Sequence, residues 1–314
     1  MILQKIEYTA NLPNDDKTCL SDLQAETVHA AGERHEIILP NKQRAGFYIG
    51  DGTGVGKGRQ VGAIIYDNFS RGRKKAIWFS ASHSLLKDAE RDLADIRFDT
   101  ELIKIPTGSQ NKAIANREGV LFCTYSMLIR RFSSILTWLV KPVPADTENH
   151  SSSSPSASAS EKSKKTAAQL REEFEGVIVF DEGHCAKNLV PKKKDGASRS
   201  LPPSQTAKRV FEIQEKLPNA RIVYVSATGA IEPLHMAYMT RLGLWGPSSY
   251  FKSFFDFERR IVRSGTPPSP FLPSFLLLPF PLSSSLVFPS LPLPPTPLYS
   301  LLCPLPSIPF FPSQ

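Results

Sequence analysis

Residues 46–58 read Gly-Phe-Tyr-Ile-Gly-Asp-Gly-Thr-Gly-Val-Gly-Lys-Gly, so an apolar run of strand length leads directly into a glycine-rich loop that ends in lysine. A helix is predicted to follow the loop. Glycine at the alternating positions 52, 54 and 56 allows backbone conformations with positive φ, which turn N–H groups inward. The N-terminus of the following helix adds further donors and a partial positive charge. Together with the Lys57 ammonium, these groups predict a cradle for a polyphosphate.

The loop departs from a full Walker A phosphate loop at two positions. Asp51 stands where the first glycine would be, and Gly58 stands where serine or threonine would coordinate Mg²⁺. An ordinary glycine-rich turn is the alternative interpretation. The strand before the loop and the helix after it favour phosphate binding.

An acidic pair follows a second apolar run, Val177–Phe180, which leads into Asp181-Glu182-Gly183-His184. Open α/β folds bind ligands at the C-terminal ends of their parallel strands. One carboxylate there can hold Mg²⁺, and its neighbour can orient or deprotonate an attacking water. Alone, such a pair is typical of an exposed strand end, but downstream of a phosphate loop the catalytic interpretation is favoured.

Two turns rich in hydroxyl groups also follow apolar runs, Thr124-Tyr125-Ser126 and Ser226-Ala227-Thr228. Small hydroxyl residues commonly end strands, so neither turn indicates a site by itself. Their meaning depends on their order along the chain: glycine–lysine loop, hydroxyl turn, Asp-Glu-x-His, then Ser-Ala-Thr.

Strand-like and helix-like segments alternate through the middle of the chain. The predicted strands are Gly46–Gly50, Ala76–Ala81, Glu101–Ile105, Val120–Tyr125, Gly176–Asp181 and Arg221–Ser226. The predicted helices are Arg59–Ser70, Ser84–Ile96, Ser126–Leu139 and Ser204–Leu217, with Ser84 and Ser126 as caps and Leu217-Pro218-Asn219 as a stop. Several strands are continuously apolar, which is typical of a parallel sheet covered on both faces. The fold class is therefore α/β, a mainly parallel doubly wound sheet.

The order and spacing of these motifs resemble the first RecA-like domain of superfamily-2 helicases and translocases, with Asp181–His184 as a DEAH-type box. More narrowly, residues 18–263 resemble the strawberry notch family. The stretches that carry this resemblance are Leu20-Ser-Asp-Leu-Gln24, Leu39-Pro-Asn-Lys-Gln-Arg-Ala-Gly-Phe47, Gly50-Asp-Gly-Thr-Gly-Val-Gly-Lys-Gly-Arg59, Asp88-Ala-Glu-Arg-Asp-Leu-Ala-Asp-Ile96 and Val179-Phe-Asp-Glu-Gly-His-Cys-Ala-Lys-Asn188. The Gly-Val-Gly-Lys-Gly-Arg loop is the most specific of them.

The resemblance implies ATP and Mg²⁺ binding by a nuclear, helicase-like regulator of transcription that works with chromatin or nucleic acid and with transcription factors. It assigns Asp181 to the metal, Glu182 to water activation, and Gln24 to adenine. An exposed polar residue on a helix is the equally weighted alternative for Gln24. The implied phosphate-binding residues are Gly52, Thr53, Gly54, Val55, Gly56, Lys57 and Gly58, and the residues that couple nucleotide state to a partner domain are His184, Ser226 and Thr228. Glycine at 58 is usual in the family, so water or Asp181 must replace the missing hydroxyl on Mg²⁺.

Composition narrows the class of protein. The chain of 314 residues carries a formal charge of +8, which favours a polyanionic partner. Its four cysteines are far apart, which argues against a disulfide framework or a zinc ribbon and favours a reducing compartment. The N-terminus lacks the apolar core of a signal peptide. The basic run from Arg71 to Lys75 is predicted to be a solvated turn rather than a nucleic-acid contact.

Two segments differ in amino-acid composition from the rest of the chain, and they set the predicted domain boundaries. Residues 143–168 are rich in serine and are predicted to be a disordered insertion. Residues 264–314 consist almost entirely of Pro, Leu, Phe and Ser, and no charged residue occurs from Pro267 onward. Proline interrupts every run that could span a membrane, so this tail is predicted to be a disordered segment or translated non-coding sequence. Residues 1–17 form an N-terminal extension, and 18–263 form the RecA-type domain.

Motor ATPases of this class bind nucleotide between two RecA-like domains, and the second domain contributes arginine to the γ-phosphate. The last arginine of this chain is Arg263. We therefore expect the chain alone to bind ATP–Mg²⁺ weakly, to hydrolyse it slowly and not to unwind nucleic acid. The alternatives are an ATP-binding scaffold for transcription factors that does not hydrolyse ATP, and an inactive fragment.

Overall fold

Parallel strands form the centre of the molecule in the computed structural model, which describes residues 8–12, 20–100, 102–104, 117–140, 166–190, 192–193, 200–227 and 233–263. The strands within those ranges are β1 (Phe47–Ile49), β2 (Lys75–Ser80), β3 (Leu102–Lys104), β4 (Gly119–Thr124), β5 (Val177–Phe180), β6 (Lys192–Lys193), β7 (Ser200–Leu201) and β8 (Arg221–Val225). Six of them make one parallel sheet in the order β1-β8-β5-β2-β4-β3, and β6 pairs with β7 in a separate antiparallel ladder.

Helices cover both faces of this sheet. The described helices are α1 (Asp22–His35), α2 (Lys57–Ser70), α3 (Leu86–Asp95), α4 (Tyr125–Val140), α5 (Ala167–Glu172), α6 (Gln205–Lys216) and α7 (Phe254–Arg263). Short 3₁₀ turns lie at 83–85, 183–186, 233–236 and 240–242. None of the helices in the described ranges is long and apolar enough to cross a membrane.

The central strands are apolar throughout because each of their two faces packs on a helical layer. On one face, Trp78 and Val179 share a core with α1, α2 and α3. On the other face, Phe79 and Phe180 stack with ring centroids 5.6 Å apart and share a core with α4 and α6. The register places Trp78 opposite Val179 and Val179 opposite Val223. The predicted doubly wound parallel sheet is therefore confirmed.

All six predicted strands and all four predicted helices are present, with shifted ends, whereas α1, α5 and α7 were not predicted as helices. Both predicted serine caps are wrong. Ser82 accepts a hydrogen bond from the Ser84 N–H at 3.3 Å and begins the 3₁₀ turn before α3. Thr124 Oγ1 accepts from the Met127 N–H at 3.4 Å, so α4 begins one residue earlier than expected. The predicted stop after α6 is confirmed, since this helix ends at Lys216.

Two of the predicted segment boundaries can be compared with the described residues. Helix α5 starts within the predicted insertion because Thr166 and Gln169 form a capping box, so the end of that insertion at 168 is too late. The rest of the insertion, 143–165, and the tail, 264–314, lie outside the described residues. Part of the N-terminal extension is described, and it packs on the domain: Tyr8 donates a hydrogen bond to Asp67 on α2, and Asn11 N donates to the other carboxylate oxygen at 2.7 Å.

The basic run before β2 forms a turn in which Arg71 and Lys74 are exposed, as expected, but its last residue is not solvated. Lys75 is buried, and its ammonium donates to the Trp138 carbonyl at 2.8 Å. Arg71 pairs with Asp67 at 3.1 Å and donates to the Thr9 carbonyl. Two of the four cations in this run thus also hold parts of the domain together.

Candidate functional site

A cavity of ≈ 730 Å³ opens where the phosphate loop, the acidic pair and the end of β8 meet. It lies beyond the C-terminal ends of parallel strands, the position at which open α/β sheets bind ligands. Seven of the predicted site residues line it: Thr53, Gly54, Gly56, Lys57, Gly58, Asp181 and Glu182. Lys57 and the acidic pair, which are far apart in the sequence, therefore face a common space.

The phosphate loop owes its shape to two of its glycines. Gly54 and Gly56 adopt φ values of +87° and +85°, which side-chain-bearing residues rarely reach, whereas Gly52 does not require a positive φ. Gly56 precedes α2, and no side chain caps that helix. The first N–H groups of α2 are therefore available to an anion, and the helix dipole favours negative charge there.

The Lys57 ammonium lies over its own loop. Its Nζ donates to the carbonyl oxygens of Asp51 at 2.9 Å and Gly52 at 2.7 Å. These two bonds hold the side chain folded back across the loop. A phosphate group entering the cradle would compete with two carbonyl oxygens for this ammonium.

Asp51, which replaces the first glycine of a Walker A loop, has a structural partner. Its Oδ2 accepts a hydrogen bond at 2.8 Å from Nε2 of Gln60, a completely buried residue on α2. Gln60 also contacts Thr27 Oγ1 on α1 at 3.3 Å. Through Gln60, the aspartate at position 51 thus links the start of the loop to helices α1 and α2.

Gln24 is bound to the phosphate loop rather than to solvent. It is only 6% exposed, so the alternative of an exposed polar residue is wrong. Its Oε1 accepts from Ser21 N at 2.9 Å in a capping box that begins α1, and its Nε2 donates to the Val55 carbonyl at 2.8 Å. A Cβ added to Gly56 would collide with the same Nε2, so the close packing of α1 requires glycine at that position.

Asp181 is fixed by contacts on both its side chain and its backbone. Its carboxylate accepts from Trp78 Nε1 at 3.3 Å and from the Glu182 N–H at 2.9 Å. Its carbonyl accepts from the Tyr125 hydroxyl at 2.8 Å. Burial raises the pKa of Asp181, while the Trp78 hydrogen bond and the Lys57 charge oppose that rise. The Asp181 carboxylate is half-buried and partly desolvated, a setting that favours a neighbouring cation.

Glu182 adopts a strained backbone conformation, with φ of +50°. Gly183 follows in a 3₁₀ turn, where an added Cβ would collide with the Tyr238 hydroxyl. Two nearby residues with predicted coupling roles are described: His184 lies in this turn, and Ser226 is buried, with its N–H donating to the Ile49 carbonyl at 3.1 Å. The third, Thr228, lies outside the described residues.

The residues of one wall of the cavity were not predicted from the sequence. Trp78 and Phe122 line it from the sheet, and Arg59 lines it from α2. The 3₁₀ turn and α3 supply further lining residues: Leu85, Asp88, Ala89, Arg91 and Asp92. The stretch 88–96 contributes to the family resemblance, but no role was predicted for it, although Asp88 and Asp92 are spaced to share one face of a helix.

Helix α3 meets α2 closely at Gly58. A Cβ added to Gly58 would lie 2.6 Å from Asp92 Cγ and would collide with its Oδ2. One residue further on, Arg59 donates to Asp95 Oδ2 at 2.7 and 3.0 Å. Across the described residues, no three His, Cys, Asp or Glu side chains converge on a metal-sized site.

Residues 1–269 match the family model described as P-loop containing NTP hydrolase pore-1. Protein strawberry notch homolog 2 of Mus musculus is 43% identical over 274 residues, which cover 83% of this chain and 17% of that protein. Protein strawberry notch of Drosophila melanogaster is 42% identical over 282 residues, 83% of this chain and 15% of that protein. Protein FORGETTER 1 of Arabidopsis thaliana is 38% identical over 256 residues, 79% of this chain and 17% of that protein.

The chain thus spans less than a fifth of the length of these relatives. Among solved structures, the Sulfolobus solfataricus SWI2/SNF2 ATPase core in complex with dsDNA superposes with a TM-score of 0.52 at 14% sequence identity. The match covers 86% of this chain and 45% of that one. At this identity the likeness concerns the fold alone, and the fold is the expected RecA-like one.

Proposed function

The chain belongs to the strawberry notch family of P-loop NTP hydrolases, and from that premise we propose that it binds ATP with Mg²⁺ in the cavity described above. We propose further that it forms the first motor domain of a helicase-like protein. The observation that carries the proposal is the convergence of Lys57 with Asp181 and Glu182 on one cavity. A phosphate-binding lysine and a metal-binding carboxylate can act on one triphosphate only when they share such a space.

Each part of the cavity matches a part of the ligand. The left-handed glycines and the uncapped N-terminus of α2 offer N–H groups to phosphate oxygens. Lys57 would exchange its two loop carbonyls for the β- and γ-phosphates. The Asp181 carboxylate fits a cation, and Glu182 would orient and deprotonate the attacking water. Mg²⁺, when bound, would neutralise charge on the phosphates.

The biological setting is proposed from the family. We infer that the complete protein acts in the nucleus as a regulator of transcription, with nucleic acid or chromatin and transcription factors as partners. Binding of dsDNA by the Sulfolobus SWI2/SNF2 core is a property of that protein, but its similar fold makes a nucleic-acid partner a reasonable proposal here. In this scheme His184, Ser226 and Thr228 transmit the state of the nucleotide to a second RecA-like domain.

Nucleotide titration and a steady-state ATPase assay on the 314-residue chain test the proposal. We expect Mg²⁺-dependent ATP binding that Lys57→Ala weakens at least about tenfold, because the mutation removes a charge-assisted contact worth about 1.5–3 kcal/mol. Lys87→Ala, which removes an exposed lysine from α3, is the matched control and should bind as the wild type does. Turnover should be slow, since an arginine from a second domain contributes about 10³–10⁵ in rate.

Two results would contradict this picture. Absence of ATP binding would refute the assignment of the cavity, and fast turnover abolished by Lys57→Ala would refute the need for a second domain. In a longer protein that includes the second domain, Glu182→Gln separates a motor from a scaffold. A translocase loses ATPase activity stimulated by nucleic acid, whereas a scaffold keeps its partner binding.

A further inference from the structure

Gly58 has no side chain that could serve as a ligand in the proposed metal site. It is the second residue of α2 and directly follows Lys57. In a full Walker A loop this position carries the serine or threonine hydroxyl that coordinates Mg²⁺. The sequence alone suggested that water or Asp181 takes over that task, but the structure offers a different group.

The space that a hydroxyl-bearing side chain would fill at position 58 is already filled from the neighbouring helix. A Cβ on Gly58 would lie 2.6 Å from Cγ and 3.2 Å from Cβ of Asp92, and it would collide with Oδ2. A serine or threonine at 58 would therefore require the Asp92 side chain to move away. An acidic oxygen of α3 stands where the phosphate loop lacks an oxygen of its own.

The surroundings of Asp92 suit a cation ligand. Its side chain is 20% exposed and lines the same cavity as Lys57 and Asp181. Arg91 lies 3.6 Å from Oδ1 of Asp92, whereas the other carboxylate oxygen, Oδ2, faces Gly58. Burial raises the pKa of Asp92 even though the charges of Arg91 and Arg59 lower it. The half-buried Asp92 carboxylate thus places Oδ1 toward Arg91 and Oδ2 against Gly58, so Oδ2 is the oxygen offered to a cation.

We propose that Asp92 replaces the missing Walker hydroxyl in the Mg²⁺ coordination shell. The proposal rests on the proposed function, since the metal is held together with ATP. In this arrangement the protein contributes two carboxylates to the Mg²⁺ coordination shell, Asp92 and Asp181, instead of one carboxylate and one neutral hydroxyl. Nucleotide binding should consequently depend more strongly on the divalent cation than in a loop with threonine at this position.

The first experiment compares nucleotide binding with and without metal in the full chain. Wild type and Asp92→Asn are titrated with a fluorescent ATP analogue in EDTA, and Mn²⁺ binding to the nucleotide complex is followed by electron paramagnetic resonance. Removing a ligand should weaken Mn²⁺ binding by about tenfold or more. In EDTA the same mutation should leave ATP binding equal or slightly tighter, because it removes a negative charge near the phosphates.

Glu90→Gln is the matched control, since it removes one negative charge from an exposed position of α3 outside the cavity. A purely structural role of Asp92 would weaken binding in both conditions alike. The inference is overturned if Asp92→Asn weakens binding equally in EDTA and in Mn²⁺, or if it behaves like Glu90→Gln. If the wild type binds no nucleotide in either condition, the proposed function itself is wrong and the inference is overturned with it.

A second pair of variants tests the contact between positions 58 and 92 directly and covers the case in which Asp92→Asn fails to fold. Gly58→Thr alone should lose Mn²⁺-dependent binding, because threonine meets the Asp92 carboxylate. Gly58→Thr combined with Asp92→Ala should regain it, since the hydroxyl then occupies the vacated space. A double variant that binds Mn²⁺ no better than Gly58→Thr alone would overturn the inference.

Discussion

His35 is a buried imidazole without a countercharge. It lies at the end of α1, it is 1% exposed, and its Nε2 is 3.1 Å from the Ile222 carbonyl. Burial, reinforced by three neighbouring arginines (Arg34, Arg44 and Arg221), lowers its pKa to about 3. The neutral ring with a proton on Nε2 can donate to that carbonyl, whereas a charged ring would be desolvated beside three cations.

We predict that this histidine makes the domain sensitive to mild acid. Its folded-state pKa lies below the ordinary value of 6.5, so the unfolded state takes up the proton first. The stabilising contribution is complete above pH 6.5 and is lost as the pH falls from 6.5 toward 3. Between pH 6.5 and pH 5 the loss should be about 1.5 kcal/mol, from 1.36 kcal/mol per pKa unit. Urea unfolding at several pH values measures it.

His35→Gln is the control for that experiment, because the glutamine amide can donate to the same carbonyl but does not titrate. The variant should show a shallower dependence of unfolding free energy on pH. An equal slope in both proteins would show that other groups cause the acid sensitivity.

Glu182 combines a proposed catalytic carboxylate with a strained backbone at φ +50°. A left-handed conformation costs a residue with a side chain about 1–2 kcal/mol. We predict that Glu182→Gly stabilises the domain by about 1 kcal/mol relative to Glu182→Gln, since both lose the carboxylate and only glycine relieves the strain. Chemical denaturation of the two variants checks this. Equal stabilities would mean that the surrounding turn imposes no strain here.

At the scale of elements, α1 acts on the phosphate loop through Gln24. Both ends of its amide are engaged, one by Ser21 and the other by Val55. We predict that Gln24→Ala weakens binding of ATP and GTP by similar factors, because it releases the loop instead of removing a base contact. Parallel titrations with the two nucleotides decide the matter. A loss confined to ATP would instead support the adenine-reading role that the family resemblance implies.

The elements were predictable to different degrees for physical reasons. Val177–Phe180 and Ile222–Val225 are apolar at every position, because both of their faces are covered, and they were identified as central strands. Helix α1 was not assigned, since its capping box at Ser21 is a short polar signal and its apolar positions are few. Asp92 was missed because its contact with Gly58 joins two helices, and no local pattern in the sequence records it.

At the scale of the whole molecule, the predicted boundaries at 17 and 263 separate two segments with different expected contributions to stability. The described residues 8–12 contribute two hydrogen bonds to Asp67, whose side chain is only 3% exposed, and a carbonyl to Arg71. The predicted tail, 264–314, follows the last residue of α7. Its proline-rich, uncharged composition predicts that it contributes little to the stability of the domain.

We therefore predict opposite outcomes for two truncations. A chain of residues 1–263 should unfold at the same urea midpoint as the full chain. A chain of residues 18–314 should be less stable by about 2–3 kcal/mol, because Asp67 loses two buried hydrogen bonds. Equal stability of all three chains would show that the N-terminal extension is dispensable, and a weakened 1–263 chain would place the domain boundary beyond 263.

Trp78 gives the cavity a further property, which is optical. Its indole N–H donates to Asp181 Oδ2, while its ring lines the cavity beside the phosphate loop. A tryptophan in such a position emits at a wavelength and intensity set by the charges around its indole. Any cation that draws the Asp181 carboxylate away from the ring changes those charges. We therefore expect the emission of Trp78, one of three tryptophans in the chain, to change when the proposed nucleotide site is filled.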